Sequence, residues 1–94
     1  MTILGPQTAT LANVAGSASS VTLFADTGKA LGRAVFNDST AVLYVALDGS
    51  VASTTNYTVQ IAAGGYFEFP QPAVSGKVTG IWTSATGNAR TTAW

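Results

Sequence analysis

Over most of the chain, apolar and polar positions alternate in short runs separated by turns rich in Gly, Asp, Asn and Pro. That is the pattern of β-strands, whose successive side chains point to opposite faces. "YTVQI" (57–61) alternates cleanly, with Tyr57, Val59 and Ile61 read as inward and Thr58 and Gln60 as outward. "YFEF" (66–69) sets Phe67 and Phe69 against Tyr66 and Glu68, and Pro70 and Pro72 end it. Further strands are read at "VTLFA" (21–25), followed by the turn "DTGK", and at "RAVFN" (33–37), which runs into "NDST". "KVTGIW" (77–82) and "ARTTAW" (89–94), linked by "SATGN", read as a closing hairpin. No stretch has a helical period. With the strand at 41–47, this makes seven short strands, and a spacing of about 8–12 residues predicts an all-β fold. The expected architecture is a small antiparallel β-sandwich or barrel over residues 20–94.

The strand at 41–47, "AVLYVAL", departs from the alternation, being apolar at all seven positions before the turn "DGS". One face carries Ala41, Leu43, Val45 and Leu47 and the other Val42, Tyr44 and Ala46, so neither is suited to water. A chain of 94 residues has little scope for a three-layer core. The first face is therefore assigned to the core, and Val42 and Tyr44 are expected to meet another element or another molecule. Residues 1–19 lack any sustained period, and Ile3, Leu4 and Leu11 are their only large aliphatic side chains. Such a segment buries too little to offset its own ordering entropy. It is expected to be an extended N-terminal arm lying on a partner by strand addition, anchored by those three residues.

Composition sharpens this picture. Charged residues make up only 9% of the chain, with four acids and four bases and no net charge, against about 25% charged residues in typical domains. Nothing here attracts phosphate backbones or anionic lipid, so neither nucleic acid nor membrane is expected as a partner. No run approaches the roughly 20 apolar residues of a membrane-spanning helix. Pro6 and Gln7 interrupt the one stretch that might form a signal peptide. A neutral, charge-poor surface is poorly protected against association and fits a protein held permanently against others.

Candidate chemistry is sparse. The chain has no His and no Cys, which removes the usual triads, thiol nucleophiles and imidazole metal sites. Asp26, Asp38, Asp48 and Glu68 lie in separate segments, mostly turns, where Asp bonds its local backbone. Asp26-Thr27-Gly28 after an apolar strand matches the aspartic protease motif, but Lys29 stands where that pattern has a small residue. Gly28-Lys29 and Gly76-Lys77 lack the remaining glycines of a phosphate loop. Asn37 and Asn56 sit in glycosylation sequons and read as turn residues. No enzymatic activity, cofactor or metal is expected. Among the aromatics, the four Phe residues are assigned to the core. Tyr44, Tyr66, Trp82 and Trp94 are the candidate partner interface, together with Val42 and the arm residues Ile3, Leu4 and Leu11.

At "FNDSTAVLYVAL", "YTVQIAAGGYFEFP" and "GKVTGIWTSATGNAR" the chain resembles a group of small all-β virion proteins of tailed bacteriophages. The likeness covers about residues 35–90, and "ARTTAW" departs from the acidic, Val-containing finish of the group. The resemblance implies a capsid decoration or stabilising protein, made in the host cytoplasm and located on the virion. Its partner would be the major capsid protein or another virion protein, and it would form a homo-oligomer, with a trimer favoured. The alternatives are another virion part (tail, connector or fibre base) and a carbohydrate- or host-surface-binding module.

Overall fold

The computed structural model describes residues 9–94, and the expectations for Ile3 and Leu4 lie outside them. Within this span there are eight strands and no helix: β1 (Thr10–Ala15), β2 (Val21–Phe24), β3 (Arg33–Asp38), β4 (Leu43–Ala46), β5 (Val59–Ile61), β6 (Tyr66–Glu68), β7 (Val78–Trp82) and β8 (Asn88–Ala93). They form two antiparallel four-stranded sheets, ordered β1-β8-β3-β6 and β2-β7-β4-β5. The pairs β1–β8, β2–β7, β3–β6 and β4–β5 have strand numbers that each sum to nine. The chain is thus a ribbon doubled back on itself at the β4–β5 hairpin. Rolling the ribbon adds the pairs β3–β8 and β4–β7 and separates it into two layers.

The core lies between the layers. Val35, Phe69 and Ala89 from the first sheet or its margins meet Leu43, Val45, Val78 and Trp82 from the second. Both Leu23 and Phe24 are buried although they are adjacent, because the β2–β7 register shifts between Thr22 and Phe24. Such a bulge lets consecutive side chains enter one core. Phe24 then meets Phe69 edge to face, with ring centroids 5.2 Å apart. The inward position of Gly80 is filled by its neighbours: a Cβ there would lie 2.7 Å from Leu23 Cδ1 and 3.1 Å from Leu43 Cδ1. The missing side chain lets Leu23 and Leu43, from the strands on either side of β7 in the same sheet, close over this position.

All seven strands read from the sequence are present, with ends shifted by one or two residues, but three assignments differ. Residues 10–15 are not an arm. They form β1, paired with β8 from Thr10↔Ala93 to Ala15↔Asn88. Gly16 N–H donates to Gly87 O (2.9 Å) and Trp82 N–H to Ser17 O (2.9 Å), which continues the attachment. The segment orders because main-chain pairing replaces the apolar burial it lacks. Second, β7 and β8 are not a hairpin, since β7 lies in one sheet and β8 in the other. The "SATGN" segment is the crossing between layers. Third, Tyr57 points outward, because β5 starts only at Val59.

The second face of β4 is covered by the chain itself. β4 lies between β7 and β5, and the loop after it crosses the outer side of its sheet. Thr79 Oγ1 donates to Ser50 O (2.6 Å), and Ala52 N–H donates to Ser20 Oγ (3.1 Å). Tyr57 meets Tyr44 edge to face at 4.9 Å. Ala46 is buried beneath this loop and Ala52 within it, and Val42 and Tyr44 are half-buried. Leu43 and Val45 are fully buried, while Leu47 is only half-buried against the core.

The attachment of β1 predicts an asymmetry between two glycines. A Cβ on Gly16 would collide with the Thr86 carbonyl, whose carbon would be 2.8 Å away, whereas a Cβ on Gly76 meets nothing within 4 Å. Gly16→Ala is expected to cost about 1–3 kcal/mol in denaturant unfolding, since backbone must move. Gly76→Ala should stay within about 0.5 kcal/mol of the parent. Equal stabilities would mean that β1 is not docked as described.

Candidate protein-binding surface

The polar side chains of β3 define what chemistry this chain has. Its inward row is Arg33, Val35 and Asn37, polar at both ends of the strand and buried throughout. Asn37 Nδ2 donates to Ala41 O (2.8 Å), Ile61 O (2.9 Å) and Ala62 O (3.1 Å). Its Oδ1 accepts from Ser39 Oγ (2.7 Å) and from Trp82 Nε1 (3.2 Å). One amide thus joins β3 to the start of β4, the end of β5 and the core indole of β7. The "NDS" asparagine is a core residue, not a turn residue, and it is enclosed on all sides.

Arg33 does the equivalent at the other end. Its Nη1 donates to Gly76 O (2.7 Å), and Nη2 donates to Ala25 O (2.9 Å) and Ser75 O (3.1 Å). The guanidinium carbon lies 4.9 Å from the Phe24 ring centroid, a cation–π arrangement. Burial lowers the Arg33 pKa from its ordinary value, and the charge of Asp26 opposes that shift. The cation is held by carbonyl dipoles and an aromatic face. Its Nε, also buried, has no partner among the described residues.

The acids are engaged locally. Asp26 Oδ1 accepts from Gly28 N–H (2.9 Å), so Asp26-Thr27-Gly28 forms an Asx turn with Gly28 at φ 74°. Asp48 accepts from the Ser50 hydroxyl (2.6 Å) and backbone (3.0 Å), which hold its carboxyl below the usual range. Asn56 Nδ2 donates to Ser50 Oγ and Val51 O, so this sequon asparagine is a loop tie. No group of three His, Cys, Asp or Glu stands close enough to hold a metal among the described residues. No helix there is long and apolar enough to cross a membrane.

The outer face of the β1-β8-β3-β6 sheet offers a recognition surface. Strand register sets Leu11, Thr92, Ala34 and Glu68 in one transverse row and Asn13, Arg90, Phe36 and Tyr66 in the next. Leu11 is 76% exposed and Tyr66 63%, at opposite margins of the sheet. Between them Arg90 Nε pairs with Asp38 Oδ2 (2.7 Å), and its Nη1 donates to Asn13 Oδ1 (3.0 Å). Both charges of this pair are about half exposed, so it contributes roughly 0–1 kcal/mol. Its larger effect is to cancel two charges in the middle of the face. The surface carries exposed Leu11 at one margin and Tyr66 beside Glu68 at the other.

The candidate interface residues therefore separate. Leu11 and Tyr66 share this face, while Val42 and Tyr44 lie on the outer side of the other sheet. Trp94 is half-buried, its indole packed over Gly32. Trp82 is only 1% exposed and belongs to the core, because an inward strand position and the Asn37 acceptor satisfy both its ring and its N–H. Sequence reasoning assigned Phe36 to the core and passed over Asn13 and Arg90, whereas strand register sets all three on this outer face. Their grouping depends on β8 entering between β1 and β3, which no local pattern announces.

Replacing Asn37 tests the polar clamp. Asn37→Ala removes the side-chain donor shared by three carbonyls and the acceptor of the Trp82 N–H, and is expected to cost about 2–4 kcal/mol in denaturant unfolding. Asn37→Asp sets a carboxylate against three acceptors, which raises its folded-state pKa above the unfolded value of about 3.9. Stability of that variant should be greatest below this value and fall as pH rises through the higher folded pKa. A pH profile parallel to the parent would contradict the assigned network.

Compared with family models, curated proteins and solved structures, the chain matches none, and its function is read from its own residues.

Proposed function

We propose that this chain is a non-enzymatic structural protein of a tailed-phage virion, a capsid decoration protein that binds the shell through the outer face of its β1-β8-β3-β6 sheet. The observation that carries this reading is the pairing of exposed Leu11 and Tyr66 on a face whose charged pair is already compensated. Such a face presents apolar area and polar contacts, with Glu68 its one charge outside an ion pair among the described residues, which suits a large protein surface better than a highly charged ligand. The folded-ribbon strand order adds support, since it is that of a jelly roll, an architecture used in viral capsid and lectin domains among others. Fold by itself does not assign function, and the resemblance at 35–90 supplies the choice of virion over lectin. Asp26, Asp38 and Asp48 have partners within their own turns or sheet, which leaves them little part in catalysis.

Purified particles should contain the protein at a copy number comparable to that of the major capsid protein, measured by quantitative mass spectrometry. Tyr66→Ala should lower particle occupancy about tenfold, the effect of losing one aromatic contact worth about 1–2 kcal/mol. Its unfolding midpoint should remain that of the parent, because Tyr66 is exposed. Absence from particles would overturn the reading. Presence in a few copies would move the protein from the capsid surface to a tail or connector.

A further inference from the structure

We infer that β1 is a self-pairing edge: two copies of this chain join antiparallel along β1 and merge their four-stranded sheets into one of eight strands. The hydrogen bond from Gly16 N–H to Gly87 O makes that residue pair a hydrogen-bonded one. Antiparallel pairs alternate between bonded and non-bonded, so the N–H and C=O groups of Val14 and Ala12 also face β8. Those of Leu11, Asn13 and Ala15 face the opposite way. No described strand pairs with that side of β1.

The four sheet edges differ in protection. β6 has three residues and is closed by Pro70, β5 also has three, and β2 is bulged at Leu23. Short strands, prolines and bulges are the devices by which edges avoid pairing. β1 is six residues long, "TLANVA", and carries no charge, proline or bulge.

The edge is also complementary to itself. Centring a two-fold axis on Asn13 places Asn13 opposite its own copy and Leu11 opposite Ala15 of the second copy, all as hydrogen-bonded pairs. The large exposed Leu11 side chain then covers a small one on the outer face. On the inner face, exposed Ala12 stands opposite half-buried Val14 of the second copy, again small against large. No like charges meet anywhere in this register. An isologous two-fold contact of this kind closes as a dimer, not the trimer implied by the phage resemblance. The inference stands on β1 alone and does not require the virion reading.

Charge reversal at Asn13 tests it. The parent chain should show a concentration-dependent monomer–dimer equilibrium by sedimentation. Amide exchange at Leu11, Asn13 and Ala15 should slow about tenfold or more on dimerisation, while Ala12 and Val14, already bonded to β8, change little. Asn13→Lys and Asn13→Asp each place like charges across the axis and should be monomeric with an unchanged fold. Mixed in equal amounts, the two variants should form a heterodimer. A parent chain that stays monomeric overturns the inference. Leu11, Asn13 and Ala15 amides that are protected equally at every dilution would overturn it as well, since the edge would then be covered without a second copy. A dimer that survives both variants, or mixed variants that fail to pair, also rules out this register.

Discussion

The buried amide of Asn37 is the constraint on which the rest of this fold depends. A two-layer roll buries backbone carbonyls where the chain passes between sheets, at strand ends and in the turns beyond them. Buried acceptors of this kind cost about as much as lost hydrogen bonds if they go unpaired. Asn37 gathers three of them with one NH2 group and returns its oxygen to Ser39 and Trp82. Arg33 collects another three at the far end of the same strand. β3 therefore acts as a bar across the sandwich, polar at both tips and apolar at Val35 in the middle.

This arrangement explains how a chain so poor in charge keeps a unique structure. Apolar packing between flat layers tolerates sliding, whereas a fully bonded amide has one acceptable position. The indole of Trp82 is fixed by the same group, and the Phe24 ring lies against the Arg33 guanidinium. Two polar residues thus orient two of the largest rings in the core. Specific geometry here comes from few hydrogen bonds in critical places.

Much of the fold was legible because strands with one wet face announce themselves. "YTVQI" and "YFEF" carry their alternation openly, and seven strands were located from such patterns and their turns. What was illegible depends on pairings distant in sequence. β1 buries little apolar surface, since only Val14 is even half-buried, so its strand character resides in the β8 backbone it meets more than seventy residues later. The burial of Trp82 depends on an acceptor supplied by Asn37, and "NDS" reads locally as a turn. The outer-face row from Asn13 to Tyr66 draws one residue from each of four strands, none adjacent in the chain. The apolar second face of β4 was recognised as needing a cover, but the cover turned out to be the loop that follows it.

Because each strand pairs with its mirror position along the chain, the last segments made occupy the middles of the sheets. β8 stands between β1 and β3, and β7 stands between β2 and β4. During synthesis the first six strands therefore emerge with their principal neighbours still missing, and only the β3–β6 and β4–β5 pairs can close. Contacts of such long range make folding slow and leave unpaired edges exposed in the meantime. A product that stops before Asn88 loses the strand that joins β1 to β3, which splits the first sheet instead of trimming it. Synthesis through β8 is thus built into the topology as a checkpoint: the sandwich closes only when that strand slots between its two partners.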